Sequence, residues 1–350
     1  MVQNKKYKIL IIRFSSIGDI VLTTPVIRCL YNQLNCEIHY LTKIQNVNIL
    51  QPSNYIKKIY SYDGKNLNEL IKSLKLERFD FICDLHNNIR SKKVTRRLKT
   101  DSKSVNKCNI KKWLYVNSLM KDLSIKHIVD RYLDTTSKFN IKNDGLGLDF
   151  FLNKEEKLPV EYDLVLNDKE YIVIAVGAQH FTKQIPNDKL ISICNKDKEF
   201  ERLNNYIKTN FNDNLNSNPL KFVLIGGTQD IDKEKKIVEG VNNKEDVINL
   251  TGKLSINGSA LIMHNSKLVI TGDTGMMHIA AALRKNIVVF WGNTVPEFGM
   301  YPYFPTNFNG FWVSAENKKI KCRPCSKIGY EKCKRKHFKC MNENELYRYS

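Results

Sequence analysis

Apolar and polar residues follow each other in short blocks along this chain, and the first half repeats an order of strand, then helix. The segment KILIIRF (8–14) is apolar and β-branched, and IVLTTPVIRCLYNQL (20–34) has apolar residues at helical spacing, with Pro25 kinking this helix or lying in its early part. Further strands are predicted at EIHYLT, IKKIYSYD and FDFICDLHN, and an amphipathic helix at LNELIKSLKLERF. This β-α-β order predicts a parallel sheet with helices on both faces.

A second series of the same kind follows a charged and poorly periodic stretch at 150–170, which we assign as a domain linker. Its predicted strands are YIVIAVGA, KFVLIGG, VINL, KLVITGD and NIVVFWG. Its predicted helices are DKLISICNKDKEFERLNNYIKTNF, DIDKEKKIVEGV, the segment 255–264 and TGMMHIAAALR. The expected class is therefore α/β, with two Rossmann-like parallel-sheet domains facing a cleft. We predict an N-terminal domain at 1–155, a C-terminal domain at 165–315 and a Cys-rich C-terminal tail at 316–350.

Length and composition agree with two globular domains. The chain has 350 residues, 42% of them hydrophobic and 26% charged, which is long for a single core. It contains no apolar run of about 18 residues or more, so no membrane-spanning segment is predicted. The apolar run near the N-terminus is too short for a signal peptide and contains Arg13, so we expect a cytoplasmic protein.

The formal net charge of +20 is the strongest compositional signal. A surface of this charge suits an anionic partner such as nucleic acid, anionic lipid or a phosphorylated substrate. The densest basic segment is 90–112, where Asp101 is the one acidic residue. A solvated helix face is the alternative there, and we favour contact with an anion.

Three loops that follow predicted strands carry candidate chemistry. In open α/β sheets, ligands bind at the carboxyl ends of strands. The first loop is SSIGD (15–19), in which Gly18 permits close backbone approach and Asp19 is either a helix N-cap or a carboxylate base. The second, GAQHFTKQIP (177–186), offers Thr182 and Lys183 to a phosphate, and it is not a Walker A loop.

The third loop, TGDTGMMH (271–278), joins an apolar strand to an apolar helix. Gly and Thr at a helix N-terminus expose backbone N–H groups and the positive end of the helix dipole, which suits a diphosphate. His278 lies one turn beyond Thr274 and on the same face. We favour anion binding over a capped core helix, because glycines flank Asp273 and Thr274 on both sides.

Taken together, these segments resemble glycosyltransferase family 9, the ADP-heptose:lipopolysaccharide heptosyltransferases. The similarity covers most of residues 7–305 in the family's order. The matching segments are RFSSIGDIVLTTPVIRCL, FDFICDLHNNIRS, GAQHFTKQIP, FVLIGGTQD, LSINGSALIMHNSKLVITGDTGMMHIAAAL and VVFWGNTVPEFGMYPY. The resemblance implies a GT-B fold with the acceptor on the N-terminal domain and the nucleotide sugar on the C-terminal domain. It also implies an inverting transfer that needs no metal or other cofactor for catalysis.

Site residues follow from the resemblance position by position. Asp19 matches the family's catalytic base. The implied donor-binding residues are Lys183, Thr182, Leu254, Asp273, Thr274, Gly275 and His278. The candidate acceptor-binding residues are Ser16, Gly18, His86, Arg90, Arg96 and Arg97. The sequence departs from the family at Ala178 and Gln179, where a Thr-Ser pair is usual, and at His86, where Gln is common.

The resemblance also implies the partners. The donor is expected to be an ADP-sugar, with heptose as the sugar, and the acceptor an anionic lipopolysaccharide core or lipid A. The enzyme would then work at the inner face of the bacterial inner membrane, in peripheral contact with the anionic lipid surface, and no nucleic acid is expected. The rival prediction, motivated by the charge and the cysteines, is a basic nucleic-acid-binding protein. A dinucleotide-dependent enzyme is disfavoured because GxGxxG is missing after the first strand.

Nine cysteines are present, and four of them cluster as Cys322-x2-Cys325-x7-Cys333-x6-Cys340. Four cysteines at close spacing in a cytosolic chain are typical of a structural Zn(Cys)4 site, with His337 as a substitute ligand. Disulfides and free thiols are the alternatives. Cys29, Cys83 and Cys194 lie in apolar segments and are predicted to be reduced core residues.

Overall fold

The computed structural model describes residues 6–153, 155–156, 158, 170–216 and 220–349. The chain divides into two compact units. Unit 1 comprises Met1–Asn109, Ser124–Asn153 and Tyr303–Thr306, and unit 2 comprises Ile110–Leu123, Lys154–Pro302 and Asn307–Ser350. Most of the predicted linker at 150–170 lies outside the described residues.

The sheet of unit 1 has five parallel strands in the order β3-β2-β1-β4-β5. Ile9 on the central strand pairs with Ile38 on one side and Phe81 on the other. Burial of such a strand on both faces explains the continuous apolar run that predicted it. The strands are β1 Tyr7–Ile12, β2 Cys36–Lys43, β3 Ile56–Tyr62, β4 Phe81–Asp84 and β5 Ser102–Ser104.

The predicted helix at 20–34 is two helices, and Pro25 is the second residue of the later one. Proline has no N–H to donate, so it fits the first turn of a helix and not its middle. The helices of this part of the chain are α1 Ile17–Val21, α2 Thr24–Gln33, α3 Val47–Leu50, α4 Leu67–Leu76, α5 Ile89–Leu98, α6 Asn109–Val116 and α7 Ile128–Leu133.

The sheet of unit 2 has seven strands in the order β12-β11-β10-β9-β6-β7-β8, parallel except for β12, which runs antiparallel to β11. The strands are β6 Glu170–Ala175, β7 Leu220–Ile225, β8 Val247–Asn249, β9 Leu268–Gly272, β10 Ile287–Trp291, β11 Trp312–Glu316 and β12 Glu345–Tyr349. Because β12 is an edge strand of this sheet, the segment predicted as a separate tail from residue 316 is built into unit 2.

The predicted helix at 188–211 is also two helices. The chain breaks at Lys196, whose φ of 58° lies in the left-handed region and cannot continue an α-helix. The helices of unit 2 are α8 Asn187–Cys194, α9 Lys198–Phe211, α10 Ile231–Glu239, α11 Ile256–Asn265, α12 Gly275–Ala282 and α13 Lys339–Asn342.

Each unit has its own apolar core. The core of unit 1 includes Leu10, Ile12 and Leu41 from the sheet, and the core of unit 2 includes Ile172 and Phe222. The prediction of two α/β domains built on parallel sheets is confirmed. Within the part of the chain that the structure describes, no helix is both long enough and apolar enough to cross a membrane.

Candidate active site

The first candidate loop follows β1 and starts α1. Ser16 is the N-cap of α1, and Asp19 stands three residues further along the chain. The Oδ2 atom of Asp19 accepts hydrogen bonds from the backbone N of Ser16 at 3.0 Å and from its Oγ at 2.8 Å. The alternative role considered for Asp19, that of N-cap, therefore belongs to Ser16. Gly18 is buried in the same short helix.

Arg13, which is more buried than Asp19, forms an ion pair with the Asp19 carboxylate. Its Nη2 lies 2.7 Å from Asp19 Oδ2, and its Nη1 donates to the carbonyl of Leu85 at 2.7 Å and to the hydroxyl of Tyr132 at 2.9 Å. Burial alone would lower the pKa of Arg13, but the charge of Asp19, the tyrosines Tyr132 and Tyr40 and the hydrogen bond to Asp19 together raise that pKa above its usual value. The Arg13 side chain is 8% exposed and that of Asp19 18%, so Asp19 is the member of the pair that a substrate can reach.

Sequence reasoning missed Arg13 as a site residue. The available signal was the position of Arg13, a charged residue directly after the six residues of the largely buried strand β1. A buried charge at the end of such a strand requires a partner of opposite charge. Asp19, six residues later, is that partner.

His86 and Lys107 share this region of unit 1. Burial, and after it the positive charges of Arg13 and Lys107, lower the pKa of His86 to about 3. Burial and the charge of Arg13 also lower the pKa of Lys107. His86 is therefore neutral at physiological pH, and its ring packs edge-on against Phe14 with 5.4 Å between centroids. A neutral imidazole in a positive environment can hydrogen-bond a sugar hydroxyl but adds no charge.

The structure separates the three predicted arginines of α5. Arg90, in the first turn, lies over the rings of Phe14 and Tyr62 at 5.5 and 5.2 Å from their centroids, beside the Asp19 loop. Arg96 and Arg97 lie in the last turn, about 9 Å further along the helix axis by the rise of an α-helix. Only Arg90 is thus brought beside the loop that carries Asp19.

Unit 2 contains the predicted donor residues. Lys183 Nζ lies 2.7 Å from Asp273 Oδ2, and the hydroxyl of Thr294 donates to the same oxygen at 2.7 Å. Burial would raise the pKa of Asp273, but the charge of Lys183 and the two hydrogen bonds lower it below its usual value. Thr294 was not predicted as a site residue. It lies in the loop after β10, the strand next to β9, and this position was the sequence signal that could have identified it.

The loop that carries Lys183 rests on the ends of two strands. A side chain at Gly272 would place its Cβ 2.4 Å from the carbonyl oxygen of Lys183, and one at Gly292 would lie 2.1 Å from that of Thr182. Thr182 is buried, and its hydroxyl accepts from the backbone N of Tyr330 at 2.9 Å. Since this hydroxyl is already bonded, Lys183 is the better placed of the two predicted phosphate-binding side chains in this loop.

The third loop starts α12. Thr274 is the N-cap, and its Oγ1 accepts from the backbone N of Met276 at 3.2 Å. Gly275 begins the helix, whose first-turn N–H groups have no acceptor within the helix and can bind an anion. His278 is buried in the same helix, and the half-buried Leu254 precedes α11. Asp273 therefore places the Lys183 ammonium directly before this helix N-terminus.

None of the nine cysteines forms a disulfide, and Cys29, Cys83 and Cys194 are buried as predicted. Cys322 Sγ lies 3.8 Å from His337 Nε2, and burial together with the thiols of Cys322 and Cys333 raises the pKa of Cys325. Nevertheless, no three Cys, His, Asp or Glu side chains among the described residues are arranged to hold a metal ion. The predicted zinc ligands are near one another but do not form a closed site.

The chain is similar in sequence to known glycosyltransferases. The family model glycosyltransferase family 9 (heptosyltransferase) matches residues 210–330. Lipopolysaccharide heptosyltransferase 1 of Campylobacter coli is 25% identical over 320 residues, which cover 86% of this chain and 88% of that protein. The rival prediction of a nucleic-acid-binding protein finds no support in these similarities.

Two solved structures share the fold. The glycosyl transferase family 9 protein from Veillonella parvula DSM 2008 has a TM-score of 0.69 at 19% identity, covering 91% of this chain and 90% of that one. The E. coli heptosyltransferase WaaC with ADP has a TM-score of 0.60 at 16% identity, covering 88% and 93%. The two α/β units are therefore those of a GT-B fold, as predicted.

Proposed function

Because the chain belongs to glycosyltransferase family 9 and is a glycosyltransferase, we propose that it transfers heptose from ADP-heptose to a lipopolysaccharide core or lipid A acceptor. The proposed transfer inverts the configuration at the anomeric carbon and takes place at the inner face of the inner membrane. The names of the relatives support the substrates, since one is a lipopolysaccharide heptosyltransferase and another was solved with ADP.

The observation that carries the proposal is the Asp19 carboxylate, which pairs with the buried Arg13 and is itself 18% exposed. In the proposed step an acceptor hydroxyl attacks the anomeric carbon and passes its proton to Asp19. The bond between the anomeric carbon and the diphosphate oxygen breaks, and ADP leaves as the anion. A positioned carboxylate is the group that such a transfer needs as general base.

Unit 2 supplies the charge that the leaving group needs. In this proposal the diphosphate lies at the N-terminus of α12, and Lys183 neutralises the negative charge that develops as the bond breaks. In this proposal Asp273 and Thr294 are positioning residues, since Asp273 pairs with Lys183 and Thr294 donates to Asp273. The donor-loop residues Ala178 and Gln179 supply no hydroxyl, so more of the phosphate binding falls to Lys183 and the helix.

The acceptor is proposed to lie against the cationic side of unit 1. Arg90 and Lys107 accompany Asp19 there, and phosphates or carboxylates of a lipopolysaccharide core would match their charge. Ser16, Gly18 and His86 are the remaining acceptor candidates of this region. Arg96 and Arg97 stay candidates for contact with the lipid surface, because they are exposed at the far end of α5.

The test is transfer by the purified chain from ADP-heptose to heptose-free lipopolysaccharide, with the product identified by its mass. We expect addition of one heptose, no comparable product from UDP- or GDP-sugars, and no loss of rate when EDTA is added. Transfer that requires Mg²⁺ or Mn²⁺, or that proceeds equally well from another nucleotide sugar, would contradict the proposal. Protein stability in EDTA is measured in parallel.

A structural zinc ion on Cys322, Cys325, Cys333 and Cys340 remains a separate proposal. It rests on their spacing and on the mutual proximity of their thiols. Purified protein should contain about one equivalent of zinc, and a Cys333→Ser variant should lose zinc and thermal stability together. Metal-free protein of unchanged stability would refute this idea without bearing on the transferase activity.

A further inference from the structure

Helix α6 and the turn after it expose an unusual amount of apolar side chain. Ile110 is 77% exposed, Trp113 52% and Leu119 65%. These are three of the ten large hydrophobic side chains that are exposed in the described part of the chain, and they fall within one stretch of ten residues. A cluster of this kind marks a surface that contacts something other than water.

The opposite face of α6 explains why these residues cannot turn inward. Tyr115 packs edge-on against Phe298 with 6.4 Å between ring centroids, and the Lys112 ammonium lies 5.4 Å from the centroid of the same ring. Residues three apart lie on one helix face, so Lys112 and Tyr115 form the inner face while Ile110 and Trp113 form the outer one. The helix is thus fixed to unit 2 by its polar-aromatic side and presents its apolar side outward.

The turn that ends α6 adds Leu119 to this outer face. Ser118 has a φ of 58°, and the backbone N atoms of Ser118 and Leu119 donate to the carbonyls of Tyr115 and Leu114 at 3.1 and 2.9 Å. This is the hydrogen-bond pattern of a Schellman motif, which brings the residue after the left-handed position back over the last turn of the helix. The position of Leu119 is therefore fixed by backbone hydrogen bonds to the last turn of α6.

We propose that the outer face of α6, formed by Ile110, Trp113 and Leu119, inserts into the interfacial region of an anionic phospholipid bilayer. The exposed Lys111 and Lys121 flank the three apolar residues and suit acidic headgroups, as does the net charge of +20. Tryptophan favours the headgroup level of a bilayer, where its ring is partly apolar and partly hydrated. The inference rests on the proposed function, in which the acceptor is a lipid-anchored saccharide.

A second copy of the chain is a weaker candidate for this surface. Two such faces would bring lysines of the same charge together, in a protein that already carries a large positive charge. Three side chains also fall well short of the roughly 800 Å² per partner that a stable dimer buries. An anionic bilayer meets neither objection.

Trp113 provides a built-in probe for the test. The chain has three tryptophans, and the other two, Trp291 and Trp312, are 1% and 6% exposed. Vesicles of phosphatidylethanolamine and phosphatidylglycerol, free of any glycolipid acceptor, should shift the tryptophan fluorescence emission to shorter wavelength. They should also reduce the quenching of this fluorescence by acrylamide. Vesicles of phosphatidylcholine alone should have little effect, because they lack negative charge.

Variants separate insertion from simple electrostatic attraction. The double change Ile110→Ser with Leu119→Ser should lower co-sedimentation with the anionic vesicles about ten-fold or more, as expected when buried apolar area is lost. Trp113→Phe should still sediment but show no spectral shift. Leu76→Ser, at a leucine that is 83% exposed on α4, is the matched control and should bind as the wild type does.

Two results would overturn the inference. One is sedimentation of the double variant equal to that of the wild type, and the other is the same spectral shift on concentrating the protein without vesicles, which would indicate self-association. Transfer to a detergent-solubilised acceptor should be unchanged in the double variant. If the wild type itself shows no transfer to the detergent-solubilised acceptor, that result would instead count against the proposed function.

Discussion

Units 1 and 2 each place a carboxylate and a cation 2.7 Å apart beside a parallel sheet, and the two pairs are built in opposite ways. In unit 1 the cation is the more buried member and is anchored outside its loop, because Arg13 also donates to Leu85 and Tyr132, while Asp19 accepts from Ser16 of its own loop. In unit 2 the carboxylate is the fixed member, because Asp273 also accepts from Thr294.

The difference indicates which partner is available for chemistry. A carboxylate backed by a rigid guanidinium can take a proton from a neighbouring hydroxyl, while a lysine backed by a fixed carboxylate can turn its ammonium toward an anion. Similar ion pairs can therefore serve opposite purposes. The partners that anchor each ion, and not the pair distance, distinguish the two pairs: Arg13 donates to Leu85 and Tyr132, whereas Asp273 accepts from Thr294.

The largest expected effect comes from Asp19→Asn. An amide can still accept the hydrogen bonds of Ser16, but it cannot take a proton, so single-turnover transfer at saturating donor should fall about 100-fold or more. ADP binding should change little, because the proposed donor residues lie in unit 2.

Asp19→Asn also leaves Arg13 buried without its carboxylate, so some loss of thermal stability is expected. Asp144→Asn is the matched control, since Asp144 pairs with the buried Arg28 at 2.7 and 2.8 Å in the same unit. It should lower the melting temperature and leave turnover intact. Turnover near the wild-type level in Asp19→Asn would show that the base is another group.

Removing the available cation of unit 2 should have the next largest effect. Lys183→Ala should weaken ADP binding about 10- to 100-fold, the range expected for a charged hydrogen bond to phosphate. Titration calorimetry measures this directly. Lys267→Ala, which breaks a surface pair with Glu170 at 2.9 Å, is the control and should bind ADP normally. Unchanged affinity in Lys183→Ala would mean that the helix N-terminus alone holds the diphosphate.

Exchanging the two kinds of cation sharpens the comparison further. Arg13→Lys cannot keep the bonds to Leu85, Tyr132 and Asp19 together, so turnover should fall about ten-fold, with a lower melting temperature. Lys183→Arg keeps a charge near the phosphate and should lose only about two- to three-fold in donor affinity. Equal tolerance of both exchanges, measured by melting and single-turnover assays, would show that the two pairs are not built differently.

The smallest effect concerns pH. Burial lowers the pKa of His86 to about 3, below its value in the unfolded chain, so between these two values the unfolded state binds more protons. Stability is then fully present above the unfolded pKa and is lost as pH falls toward the folded one. His86→Gln should remove this part of the dependence, so between pH 7 and pH 5 its melting temperature should drop a few degrees less than that of the wild type. Parallel curves for the two proteins would contradict this.

Local pattern was sufficient for most of the fold. The strands β1, β4 and β9 were predictable because a strand buried on both faces needs a continuous apolar run, and Thr274 was predictable because its side chain suits a helix start. The break at Lys196 was not, since nothing in the surrounding helical pattern requires a left-handed residue. The strand β12 (ELYRY) was not predicted, because an edge strand lacks the continuous apolar run of a strand buried on both faces.

The site was less predictable than the fold. Asp19 and Lys183 were found as parts of motifs, but a motif does not record which other residues pair with them. Ninety positions separate Lys183 from Asp273, and Tyr132 reaches Arg13 from α7. Only packing of the sheet and its loops brings such groups together, so pairwise geometry had to come from the structure.

Gly272 and Gly292 have a consequence for how this enzyme can be altered. Because each leaves room for a loop carbonyl that any side chain would displace, the two positions bind the lysine loop to the sheet without contributing an atom to the donor. Libraries aimed at a new sugar nucleotide should therefore vary the loop and spare these glycines. In metagenomic collections, the same two glycines would be a fingerprint for chains that keep this loop in place after its own residues have diverged.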